Sequence, residues 1–165
     1  MFIKILNILV MAGLLTACSS QTEPKMIKEV ENVVVSTFEQ EKPKPNETNK
    51  GYQYKQPFGI KEKSSSKNNI ILEKRDQLFT LFYDPKSDDK THLYDEEKME
   101  DKDPLMFKEL ENEKLTFIKV VKLDENQYEL TLGRGGVKIT TITNSSKIDN
   151  DAEMMAEITY SFEFK

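Results

Sequence analysis

One cysteine and one histidine in 165 residues are too few for a disulfide framework or for any metal site built from several Cys or His ligands. Positive charge is not in excess either. Lys and Arg number 24 against 29 Asp and Glu, a formal net charge of -5, which excludes a nucleic-acid binder that works by bulk charge. No apolar run is long enough for a permanent membrane helix. The chain is long enough for one domain of ordinary size, and 32% charged residues give it an acidic, soluble surface.

What apolar content there is lies unevenly. Thirteen of the first 17 residues are apolar, against 11 of the 51 residues in 19–69 and 36 of the 96 in 70–165. The opening is Met1-Phe2-Ile3-Lys4, with one positive charge, and then a short apolar run from Ile5 to Leu15. That pattern reads as a secretory signal peptide over 1–17. It ends in Leu15-Thr16-Ala17-Cys18, a branched apolar residue, two small residues and the sole cysteine.

These four residues resemble the lipobox of bacterial lipoproteins. The resemblance implies cleavage between Ala17 and Cys18, a diacylglyceryl group on the Cys18 thiol, further acylation (palmitate-type chains) and a lipid anchor in the cell envelope. Small residues before the cysteine suit an extended backbone entering the signal peptidase. Two or three acyl chains anchor stably where one would not, at about 0.8 kcal/mol per buried methylene. Ser19, where inner-membrane lipoproteins typically carry Asp, implies delivery to the outer membrane in a host that has one. The resemblance names a processing class and carries neither fold nor activity.

From 18 to 69 the composition predicts a lipidated N-terminus followed by a disordered tether. Glu41 to Lys50 contains no apolar residue, and such chain cannot offset its ordering entropy. As a coil it would span about 40 Å, and up to about 170 Å extended. Two islands interrupt it. Met26 to Val35 has helix-like spacing at 26, 30, 33 and 34 but a run of valines, so helix and strand both stay open. Gly51 to Ile60 alternates aromatic and polar residues, and Tyr52, Tyr54 and Phe58 are candidate partner contacts in a docking segment; the preferred alternative is an outlying strand of the protein's own sheet or a sticky piece of linker.

The remaining 70–165 predicts a small α+β, β-dominant domain. Its core is an antiparallel four-stranded meander over about 115–164, with strands at 115–123, 128–132, 137–140 and 156–164. One or two short helices from 70–112 cover it, one of them opening at Asp103-Pro104 and running to about Asn112. The stretch 70–83 fits a helix or a buried strand.

No constellation carries catalytic chemistry. His92 has Asp88, Asp89 and Asp95 nearby as possible orienting groups, but no serine stands in a nucleophile context and Cys18 is consumed by lipid. The acidic stretch 84–103 and Asp149 to Glu153 lack the glycine and the twelfth-position Glu of a calcium loop. Gly133-Arg134-Gly135-Gly136 joins two strands, so it reads as a hairpin turn in preference to an anion cradle. The expected function is a non-enzymatic envelope lipoprotein whose domain binds another envelope protein, with no cofactor, no metal and no nucleic acid. Two alternatives stand beside it: an inhibitor or immunity lipoprotein using the acidic loop against a basic toxin or lytic enzyme, and an enzyme using His92 or paired carboxylates.

Overall fold

A computed structural model describes residues 23–86, 105–111 and 114–165. The fold is α+β with strands dominant. Helix α1 (Glu23–Glu39) leads into a short hairpin of β1 (Glu47–Thr48) and β2 (Tyr52–Tyr54). Seven strands follow: β3 (Lys61–Ser65), β4 (Asn69–Lys74), β5 (Gln77–Tyr83), β6 (Leu105–Glu111), β7 (Lys114–Asp124), β8 (Gln127–Arg134) and β9 (Val137–Thr143). Helix α2 (Ile148–Ser161) and strand β10 (Glu163–Phe164) close the chain.

The seven strands form one antiparallel sheet in the order β3-β4-β5-β9-β8-β7-β6, and β1, β2 and β10 form a second, small sheet. Alternation decides which residues point at the helices. Ile70 and Leu72, Phe79 and Leu81, Ile139, Leu130 and Leu132, and Ile118 and Val120 share one face and are buried together with Met26, Val30 and Val34 of α1 and Ala152, Met155 and Ile158 of α2. Both helices therefore lie on one side of the sheet, as a half-apolar antiparallel sheet requires. Strand β3 is exposed throughout, and its Lys61-Glu62-Lys63 charges and a bulge between Glu62 and Ser64 protect that edge from foreign strands.

The expected meander exists, but it is β6-β7-β8-β9, from 105 to 143, and not 115–164. Its predicted last strand, 156–164, is mostly helix. Ala156, Ile158, Tyr160 and Phe162 do alternate, yet the buried set extends back to Ile148, Asp151, Ala152 and Met155, which recurs every three or four residues. A window opening at Ala156 sees only the part of this stripe that also fits period two. The predicted helix at 105–112 is instead β6, paired residue for residue with β7 from Leu105↔Val120 to Glu111↔Lys114. Seven backbone pairings with a long neighbouring strand outweigh a weak local preference. The ambiguous 70–83 is the β4–β5 hairpin, turning at Arg75-Asp76 with Arg75 at φ 56°. Among the described residues, the helical cover comes from 23–39 and 148–161, and the described parts of 70–112 form strands and turns.

The largest correction concerns the tether. Met26, Val30, Val34 and Thr37 form one buried stripe on α1, so the first island belongs to the domain. The polar stretch after it is held as well: Asn46 N donates to Tyr54 O and Asn49 N to Tyr52 O. Low apolar content misled here because three buried side chains on a helix suffice when a sheet already offers an apolar face.

Candidate functional site

Polar strand ends and turns gather at one end of the large sheet. The β4–β5 turn and the β7–β8 turn flank the end of β9 and the start of α2, and between them runs an open groove of about 1110 Å³. Its base is a hydrogen-bond network around the buried Asp151. Gln77 Nε2 and Thr143 Oγ1 both donate to Asp151 Oδ2, at 2.7 and 2.6 Å. Gln77 Nε2 also reaches Thr141 Oγ1 at 3.1 Å, and that hydroxyl donates to the Leu78 carbonyl at 2.7 Å. Asp151 stands in the first turn of α2, where the helix dipole favours a carboxylate. The network ties β5, β9 and α2 together, which is a fastening role. Around it Lys74, Arg75 and Lys147 alternate with Asp76, Asp124 and Glu125.

A smaller cleft of about 310 Å³ lies at the opposite end, beside Arg134. The buried guanidinium lies over an edge-to-face ring pair, 4.7 Å from the Phe38 centroid and 5.3 Å from that of Tyr160, which are themselves 5.2 Å apart, and Nη1 donates to Thr116 Oγ1 at 2.8 Å. In contact with a ring from each helix, Arg134 joins α1, α2 and the sheet. The glycines around it form the hairpin turn of the preferred alternative. Gly135 takes φ 57° and gives its N–H to Leu115 O at 3.0 Å, so that amide is spent inside the fold.

The aromatic candidates divide. Tyr52 and Tyr54 are buried, and β2 pairs on both sides, with β1 and with β10, so these residues form a strand of the protein's own sheet. Their rings stack on Phe162, with centroids at 5.5 and 6.0 Å, and Tyr52 meets Tyr83 at 4.9 Å. Burial pushes the Tyr54 phenol far above its ordinary range, and Glu62 adds to the shift. Phe58 is the opposite case and is fully exposed, at 103%. It occupies a turn in which Ile60 N donates to Pro57 O and Gly59 supplies φ 82°, a conformation that suits glycine. Asn46 grips the turn's approach, its Oδ1 accepting from Gln56 N at 2.6 Å and its Nδ2 donating to Gln56 O at 3.1 Å. The ring is thus presented on a fixed backbone.

Ala17, Cys18, Asp88, Asp89, His92 and Asp95 lie outside the described residues. Asp149 to Glu153 is the first turn and a half of α2, and among the described residues no group of three or more Asp, Glu, His or Cys is placed to hold a metal ion. Asp149 Oδ1 is buried without a hydrogen-bond partner, and desolvation, with Glu29 of α1 opposite, raises its pKa. The Asp151 network escaped the sequence reading because its parts lie on three elements. Only an acidic residue in a helix's first turn signals it, and the local pattern over 156–164 predicts a strand there and not a helix. The chain matches no protein-family model, no curated protein and no solved structure.

Proposed function

We propose that this chain is a lipid-anchored protein of the bacterial cell envelope, presenting a small non-catalytic domain that binds another envelope protein. The observation that carries the anchor is Leu15-Thr16-Ala17-Cys18 at the end of a charged and then apolar leader. Once acylated, Cys18 dispenses with a membrane helix, and no described helix is long and apolar enough to cross a membrane. With Ser19 after the cysteine, the destination is the outer membrane where the host has one.

For the partner, Phe58 is the contact the geometry supports. A large ring fully in water on a backbone already pinned by Asn46 loses little entropy on docking into a pocket. Tyr52 and Tyr54 support it from within the fold and do not touch the partner.

Intact-mass analysis of the membrane-extracted protein tests the anchor: residues 1–17 should be gone and lipid mass present, and Cys18→Ala should leave the protein unacylated. An unmodified Cys18 thiol overturns it. A photo-crosslinking amino acid at position 58, activated in intact cells, should yield one discrete protein adduct that the same probe at exposed Lys86 does not. Identical patterns at the two positions would overturn Phe58 as the contact.

A further inference from the structure

Resting on the lipid-anchor reading, we infer that the groove end of the large sheet lies against the bilayer that holds Cys18, with Leu78, Leu123 and Ile142 at the headgroup boundary. The argument begins with chain length. Helix α1 starts at Glu23, five residues after Cys18, and five residues reach at most about 17 Å. Glu23 Oε1 is 2.5 Å from Lys122 Nζ, which places the start of α1 at the end of β7. That is the groove end, because β7 turns into β8 at Glu125-Asn126 and Asn126 Oδ1 accepts from Ser145 N and Oγ beyond β9. The domain is therefore held within one short reach of the membrane, by this end.

Among the described side chains of the large sheet, the exposed large apolar ones are at this same end. Leu78, Leu123 and Ile142 are 46, 48 and 56% exposed. Leu78 is second in β5, Ile142 is next to last in β9, and the β5–β9 register carried one residue beyond Phe79↔Thr141 sets the two side by side. Leu123 is left unpaired by the register shift between Lys122 and Asp124. Single exposed leucines are ordinary on a soluble protein. Three at one end of a sheet, at the end from which the lipid anchor departs, match the shallow apolar contact of a protein lying on an interface. Charge does not drive the contact. The basic residues Lys74, Arg75, Lys122 and Lys147 are matched by as many carboxylates, among them Glu23 and Asp124, so the docked state should persist as salt is raised.

The test uses the full chain in its acylated form. Acylation consumes the one native thiol, so a cysteine introduced in place of Leu78, Leu123 or Ile142 takes a fluorophore alone, and Lys165→Cys serves as the far-end control. Lys165 follows Phe164, whose ring is 6.3 Å from that of Tyr83, at the other end of β5. The labelled proteins are reconstituted in vesicles of phosphatidylethanolamine and phosphatidylglycerol, with lipid-borne and aqueous quenchers in parallel. Loss of fluorescence to the lipid quencher at 78, 123 and 142, with none at 165, is expected, and it should survive added salt. Labels open to the aqueous quencher at all four positions, on protein whose mass confirms acylation, overturn the docked orientation and leave the anchor standing. Labels shielded from both quenchers show a second copy covering the patch, and also overturn it. An unmodified Cys18 thiol overturns the anchor reading, and the orientation with it.

Discussion

Removing α1 measures how far the domain depends on a segment whose composition reads as linker. Met26, Val30 and Val34 are each no more than 1% exposed, and they cover Ala152 and Met155 of α2 as well as the sheet. Burial of one such side chain contributes about 1.5–3 kcal/mol, so the three together supply about 5–9 kcal/mol as an upper bound. A domain of this size is stable by about 5–15 kcal/mol in all. A soluble chain beginning at Gln40 should therefore be unfolded or close to it, while one beginning at Ser19 folds cooperatively. Urea titration followed by circular dichroism compares them. Met26→Ala in the longer chain is the milder version and should lower stability by about 2–5 kcal/mol. Limited proteolysis gives an independent check: the resistant fragment should begin ahead of Glu23, not between Gly51 and Ile70. If the two chains unfold at the same urea concentration, α1 does not contribute to the core and the domain begins after it.

Other outcomes follow from single sites. A Cβ on Gly133 would stand 2.0 Å from Phe117 Cε1, so Gly133→Ala should destabilise by about 1–3 kcal/mol or more, and an unchanged melting temperature would show that the Phe117 ring has room to move. The Asp149 carboxyl has its pKa raised above the ordinary 3.8 by burial and by Glu29, so its charged form opposes folding. The penalty is full above the folded-state pKa and vanishes below 3.8, so stability falls as pH rises between them. Asp149→Asn should therefore melt higher than the parent at pH 7, with the gap closing toward acid; a gap that stays constant with pH would place its origin elsewhere. Phe58→Ala removes only a solvated ring and should leave stability within about 0.5 kcal/mol, and a large loss of stability would mean the turn is packed in solution.

Ser161 shows how local pattern and tertiary context part company. As a member of a strand's polar face it belongs in water; on α2 it is fully buried, its Oγ accepting from Lys55 N at 2.8 Å and bonding the Glu157 carbonyl at 2.6 Å. Serine is small enough to satisfy its hydroxyl within a helix, so its polarity said little about its exposure.

The sequence by itself determined what is local. The charged and then apolar opening and the Leu15-Thr16-Ala17-Cys18 motif are contiguous residues, and the secretory and lipid-anchor reading proposed from them rests on their own chemistry. Strands β7, β8 and β9, with their turns at Glu125-Asn126 and Gly135-Gly136, were legible because alternation and turn residues are short-range signals. The dominance of strands over helices followed from them. Tertiary structure alone decided which segments cover the sheet. A helix such as α1 is marginal by itself and exists because Met26, Val30 and Val34 find an apolar face made by strands 40 to 110 residues away, and β6 is a strand because β7 lies beside it. In the same way, only the burial of the α1 stripe against distant strands shows that the folded part reaches back to Glu23, which no local pattern in the chain encodes.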